Sequence, residues 1–124
     1  DAPCTGLGAL RRRPESRWRR TPSDLAALAP LQRALLASAL DAARPGGVVS
    51  YVTCSPHRAE TRFVVDDVLR GRDDVERLDA VPVVAEAGGG RAGDLGAGPD
   101  VQLWPHLHGT DAMYLALLRR RASR

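Results

Sequence analysis

One junction constrains this chain more than any other feature. An apolar helical stripe stops at Pro45-Gly46-Gly47, and the run Val48-Val49-Ser50-Tyr51-Val52-Thr53 begins at once. The stripe is Leu25, Leu28, Leu31, Leu35, Leu36, Ala39 and Leu40, recurring at spacings of three and four, which is the period of one helix face. Thr21-Pro22-Ser23-Asp24 supplies a cap residue and a proline near the first helical position, so a helix is expected from about Ser23 to Arg44. Six residues rich in β-branched side chains, bounded by glycines before and by Cys54-Ser55-Pro56 after, read as a buried strand. A capped helix feeding a buried strand directly is α/β order.

The rest of the chain extends that pattern. Asp1 to Ala9 is crowded with turn residues and reads as a loop. A second amphipathic helix is expected from about His57 to Arg70, with Phe63, Val64, Val68 and Leu69 inward. Val75 to Val84 reads as a short strand with its flank, and Val101–Trp104 and Ala112–Leu118 as two more strands. Gly88 to Gly98 holds six glycines and reads as a flexible loop, with an arginine-rich tail at Arg119 to Arg124. At 124 residues this is one domain or part of one. A hydrophobic fraction of 44% with 27% charged residues excludes a disordered chain. No stretch approaches the roughly 20 apolar residues of a membrane span. No basic start leads into an apolar signal region either. Two cysteines are too few for a disulfide scaffold, so a cytoplasmic protein with free thiols is expected.

Two cysteines and one arginine cluster could carry chemistry. Cys54 stands at the exit of a strand, where α/β sheets place their reactive groups. It reads either as a nucleophile or as a small buried hydrophobe. Cys4, in Asp1-Ala2-Pro3-Cys4-Thr5-Gly6, sits in a Pro/Gly loop that would hold a side chain rigidly, or is a spare thiol in an ordinary turn. Arg11, Arg12, Arg13, Arg17, Arg19 and Arg20 flank Trp18. Cations beside an aromatic ring suit phosphate contact and base stacking on a nucleic acid. A net charge of only +3 also permits a solvated charged face. All eighteen basic residues are arginine, the better bidentate phosphate ligand. His57, His106 and His108 show no zinc-type spacing with the cysteines, so no metal is expected. The glycine loop lacks a strand–GxGxxG–helix context and is not read as a phosphate cradle.

Taken together, these pieces resemble the carboxyl-terminal half of the Fmu/Sun family of RNA (cytosine-5) methyltransferases, over essentially the whole chain. Asp1-Ala2-Pro3-Cys4-Thr5-Gly6-Leu7-Gly8 resembles the family's fourth motif. Arg13-Pro14-Glu15, Trp18-Arg19 and Leu28 through Gln32 to Leu36 resemble the stretch that follows it. Tyr51-Val52-Thr53-Cys54-Ser55-Pro56, with Glu60 behind, resembles the sixth motif, and Trp104-Pro105-His106 with His108-Gly109-Thr110-Asp111 the closing segment. The details are most similar to the bacterial small-subunit rRNA branch. Thr61 and Ala112 depart from it, standing where relatives often carry Asn or Glu, and Gly.

The resemblance implies a partial Rossmann-like fold dependent on S-adenosylmethionine. It implies that the Cys54 thiol attacks C6 of cytosine, making C5 an enamine carbon reactive toward the methyl sulfonium. Cys4 is then the thiol that aids release of the 5-methylcytosine product. Asp1 lies where cofactor and cytosine meet, contacting the base's N3/N4 edge and the cofactor. An ordinary thiol, with a pKa of about 8.5, is only a few per cent ionised at neutral pH, so a site must help it. The family's glycine-rich cofactor loop belongs upstream of Asp1. Residues 1–124 are therefore expected to carry the methyl-acceptor half of the active site, to bind S-adenosylmethionine weakly alone, and to present an apolar sheet edge. The rivals are a non-catalytic RNA-binding remnant and, more weakly, a thiol hydrolase pairing Cys54 with a histidine. The two thiols are expected within about 10 Å of each other, room for one base between them.

Overall fold

The structure is a computed structural model describing residues 1–122; Ser123 and Arg124, the end of the arginine-rich tail, lie outside the described residues. Four strands make one sheet: β1 (Val48–Thr53), β2 (Val75–Leu78), β3 (Val101–Leu103) and β4 (Met113–Arg120). The last strand is the central one. β4 runs antiparallel to all three others, with Thr53 opposite Tyr114, Leu78 opposite Leu117 and Leu103 opposite Met113. It follows that β1 and β2 run in the same direction, joined by a crossover that contains α3 (Arg62–Leu69), with β4 filling the slot between them. The remaining helices are α1 (Ser16–Arg19), α2 (Pro22–Ala42), α4 (Val81–Ala87) and α5 (Pro105–His108).

Helix α2 starts where the sequence says it should. Pro22 occupies the first turn, and the Asp24 carboxylate reaches back to accept from the Thr21 backbone N–H at 2.9 Å, which satisfies one donor the helix leaves free. The main core lies between α2, α3 and one sheet face: Leu36, Leu40, Tyr51, Val64, Val65, Tyr114, Ala116 and Leu118. Each leucine or valine among them contributes about 1.5–3 kcal/mol when fully buried. A smaller cluster of Ala80, Leu95 and Val101 packs with Val84, Leu115 and Leu117. The alternation of β4 places these last two on the opposite face from Ala116 and Leu118. The glycine loop thus contributes Leu95 to this second core.

Several expectations need correcting. On α2 the buried positions are Gln32, Leu36 and Leu40, whereas Leu31 and Leu35 are 47% and 43% exposed. The stripe read at mixed spacings of three and four spans two neighbouring faces, only one of which meets the core. In the second helix Phe63 points outward and Val65 inward, and the helix begins at Arg62 after a 3-10 turn at Arg58–Glu60. The stretch Val75–Val84 divides: its first four residues are β2, while Val81 opens α4. Asp79 accepts from the Val81 N–H at 3.0 Å and Pro82 sits in the first turn, which starts a helix despite three valines. The arginine-rich tail is part strand, since Arg119 and Arg120 lie in β4 opposite β1 and β2.

Candidate active site

Two segments separated by fifty positions run side by side at the end of β1. The Ala2 N–H donates to the Val52 carbonyl at 2.9 Å. Two residues further along both segments, the sulfurs of Cys4 and Cys54 are 3.4 Å apart. One residue further again, Thr5 and Ser55 bond to the same carboxylate, that of Glu60. The convergence expected of the two thiols is met. The spacing is not the expected one, because 3.4 Å is sulfur–sulfur contact and no base fits between them.

Glycines shape the first segment. Gly6 has φ of 72°, a left-handed turn that leads into the short 3-10 helix Leu7–Ala9. Gly8 is then clasped on both sides. Its N–H donates to the Cys54 carbonyl at 2.9 Å, and its carbonyl accepts from the Ala112 N–H at 2.9 Å. A Cβ here would stand 2.0 Å from the Ala112 carbonyl oxygen and 2.7 Å from that of Cys54, so only glycine allows this approach. Next to Ala112, Asp111 pairs with Arg11 at 2.7 Å and Arg12 at 2.6 Å. These guanidiniums hold the Asp111 carboxyl below its usual range, Arg12 contributing most.

Glu60 is completely buried. One of its oxygens accepts from the Thr5 N–H at 2.7 Å and from the Gln32 amide at 3.3 Å. The other accepts from the Thr5 hydroxyl at 2.7 Å and the Ser55 hydroxyl at 2.5 Å. Its backbone carbonyl accepts from the Tyr51 hydroxyl at 2.9 Å, and the Gln32 amide also donates to the Pro3 carbonyl at 2.9 Å. Burial pushes the Cys4 thiol up to about 11, and its contact with Cys54 adds to this, while a backbone bond at Gly6 works the other way. At neutral pH, Cys4 is therefore held as the protonated thiol.

The other sequence candidates are dispersed. Asp1 is exposed and lines an apolar groove of about 190 Å³ with Ala2, Leu35, Ala39, Val49 and Val52, beside the edge of β1 away from β4. Trp18, on α1, is 83% exposed, with the Arg17 guanidinium 5.4 Å from its ring centre. Arg13, Arg17, Arg19 and Arg20 make no ion pair among the described residues, in contrast to Arg11 and Arg12. His57 accepts from the Ala59 N–H, and His108 bonds the Trp104 N–H and the Asp94 carbonyl. Neither thiol bonds a histidine, and no cluster of three metal-ligating side chains occurs, among the described residues. Nor is any helix there long and apolar enough to cross a membrane. Sequence reasoning gave no role to Gly8, Gln32, Ser55 or Glu60. Most of their partners lie far along the chain, 55 residues in the case of Thr5 and Glu60, although Ser55 and Glu60 are only five apart.

Known proteins resemble this chain in sequence and in fold. The family described as 16S rRNA methyltransferase RsmB/F matches residues 1–119. A Mycobacterium tuberculosis protein whose name claims no more than a methyltransferase is 63% identical over 120 residues, 97% of this chain and 25% of that protein. Among solved structures, that of PH0851 superposes with a TM-score of 0.83 at 31% identity, over 97% of this chain and 25% of the other. NSun6 from Pyrococcus horikoshii, solved with SFG, gives 0.74 at 28% identity, over 99% of this chain and 29% of the other. The chain thus spans about a quarter of the length of the curated relatives it matches.

Proposed function

Since the chain belongs to the RsmB/F family of 16S rRNA methyltransferases, we propose that it forms the methyl-acceptor half of an RNA (cytosine-5) methyltransferase acting on small-subunit rRNA in the cytoplasm. The observation that carries this reading is the contact between Cys4 and Cys54 at the end of β1. The two sulfurs are free and, at 3.4 Å, stand well beyond the roughly 2.05 Å of a disulfide bond, and a metal site would need further ligands, which the described residues do not provide. Two thiols on one side of a substrate ring suit a reaction that makes a covalent bond to carbon and later breaks it.

Cys54 is the nucleophile. Its sulfur adds to C6 of the cytosine, and the electrons of the C5–C6 double bond become available at C5, which takes the methyl group. S-adenosylmethionine, when bound, supplies that group as an electrophilic methyl sulfonium. Loss of the C5 proton then restores the double bond and expels the Cys54 thiolate. Cys4, held as a thiol by burial, cannot compete for attack at neutral pH. It is poised to move a proton during release. Asp1 lines the groove beside β1, three residues before Cys4, and is assigned to the N3/N4 edge of the base.

The residues present suit only the reacting end of the cofactor. The positive-φ glycines at 89, 90, 93, 96 and 98 follow α4 and lead into β3 rather than into a helix N-terminus, so they do not offer the phosphate-type cradle of a nucleotide site. The adenosine-holding half is assigned to sequence before Asp1, packed on the groove between α2 and β1, where Leu31, Leu35 and Val48 are exposed. The relative solved with SFG, an analogue of S-adenosylmethionine, supports this cofactor. Trp18 with Arg13, Arg17, Arg19 and Arg20 is the RNA surface; Arg11 and Arg12 serve the Asp111 clamp first.

The test uses full-length enzyme, S-adenosylmethionine and rRNA carrying 5-fluorocytosine, whose C5 has no proton to lose. A protein–RNA link should accumulate, and peptide mapping should place it on Cys54. A link at another residue, or none with turnover intact on normal RNA, overturns the mechanism. In the same enzyme, RNA affinity should fall steeply with salt, and alanine at Arg13, Arg17, Arg19 and Arg20 should flatten that slope.

A further inference from the structure

We propose that Glu60 is a positioning residue that sets the distance between the two thiols. This rests on the reading above and goes beyond it in assigning the placement of the cysteines to one side chain. Glu60 bonds to the residue immediately after each cysteine: Thr5 through its backbone N–H and its hydroxyl, and Ser55 through its hydroxyl. A carboxylate with no solvent exposure is an expensive core residue unless donors surround it. Here four donors do so, and they come from three separate parts of the chain: the Cys4 loop, the Cys54 exit and α2 through Gln32.

The geometry makes this more than filling of the core. The Cys54 segment is already held by its ladder to β4, with Thr53 opposite Tyr114. The Cys4 segment has no ladder beyond the single Ala2–Val52 bond, the Gly8 clasp and the Gln32 bond to Pro3. Between Ala2 and Gly8, exactly where Cys4 sits, the shortest bonds holding the loop to the Cys54 segment are those through Glu60. Both of its oxygens touch the Cys4 side, and one also takes Ser55, so the carboxylate acts as a rigid spacer between them. Gln32 completes it, since the same amide nitrogen that contacts Glu60 also holds the Pro3 carbonyl, one residue before Cys4. Buried networks of this kind specify geometry rather than simply adding stability, and here every donor to Glu60 is placed while only the Gln32 Oε1 atom lacks a partner in the network.

The experiment is made on full-length enzyme carrying Glu60→Gln. The amide keeps the shape but carries no charge, so the charge-assisted bonds from Thr5 and Ser55 are weakened, and those from the two hydroxyls are reversed where the NH₂ faces them. Two readouts are taken. The first is kcat against KM: kcat should fall about 100-fold, the penalty of roughly 1 Å of misplacement, with KM for RNA unchanged. The second needs neither RNA nor cofactor. Diamide takes two electrons and two protons from a thiol pair, becoming the hydrazide and leaving a disulfide, at a rate that reports how well the sulfurs meet. That rate for Cys4 and Cys54 should fall about tenfold. A folded Glu60→Gln enzyme whose kcat and linking rate both stay within twofold of the parent overturns the proposal. If Glu60→Gln does not fold, Thr5→Val and Ser55→Ala each remove one hydroxyl, and the same split should appear in smaller measure; two such variants unchanged in both readouts also overturn it. If the parent enzyme does not methylate cytosine, yet Glu60→Gln still slows linking, the proposed function falls and the role of Glu60 stands.

Discussion

The segments around Cys4 and Cys54 look like copies of one another and are built by opposite means. Each has a thiol followed by a hydroxyl residue, Cys4-Thr5 and Cys54-Ser55, and both hydroxyls bond one carboxylate. Yet Cys54 directly follows a six-residue strand bonded along its length to β4. Cys4 sits in a loop held by a few specific bonds and by the glycine at position 8. On the roles proposed for the two thiols, this difference is a division of labour. A nucleophile must meet a carbon at one defined angle and gains from the rigidity of a sheet. A group that helps release a product needs only to stay near, and a loop tied at three points suffices.

The sharpest way to break the comparison is to delete each sulfur in the full-length enzyme. Cys54→Ala should abolish both product and covalent RNA adduct. Cys4→Ala should slow turnover by about 10²- to 10⁴-fold, the range of a lost proton-transfer group, while an adduct that survives denaturing electrophoresis accumulates. The reverse pattern would exchange the two roles, and full activity in both variants would remove the thiols from the mechanism. Gly8→Ala tests the tie rather than the thiol. Its Cβ would lie 2.0 Å from the Ala112 oxygen, so the variant should lose about 1–3 kcal/mol in denaturant unfolding and misplace Cys4. Wild-type stability in Gly8→Ala would show that the loop is looser than drawn.

The smallest effect is on pH. With its thiol pushed up to about 11 by burial, Cys4 should alkylate with a midpoint near that value when peptides are resolved by mass spectrometry. The sign follows from the raised value. The folded state holds this proton more tightly than the unfolded chain, so its contribution to stability is whole below about 9 and is lost as pH rises through about 11. A Cys4 midpoint at or below 9 would show that burial does not raise the loop thiol.

How much of this was legible depends on how far apart the partners lie. β1 is readable residue for residue, because Val48–Thr53 is β-branched and flanked by breakers on both sides. The α/β order and the meeting of the cysteines also come from local pattern and motif resemblance. The buried face of α2 does not, because its centre is a glutamine. Gln32 is buried for its bonds to Pro3 and Glu60, and hydrophobic periodicity cannot register that. The helix at Val81–Ala87 was hidden by its valines, although the Asp79 bond and Pro82 together form a start signal. The pairing of Arg12 with Asp111 joins residues 99 apart, and no local rule could separate these arginines from the free ones beyond them.

The central place of β4 has a consequence for the order in which the molecule can be made. A chain emerges from its N-terminus, yet the strand that joins β1 to β2 is the last to appear. Until Met113–Arg120 arrives, the two earlier strands face an empty slot, and the Gly8 carbonyl waits for the Ala112 N–H. The thiol pair is therefore completed only after β4, the last of these four strands to be made, has been synthesised. A newborn chain that stalls shortly before residue 112 carries both cysteines but lacks the brace beside them. Premature truncation there should yield a product with reactive sulfurs and an open sheet, a species for quality-control proteases rather than a slow enzyme.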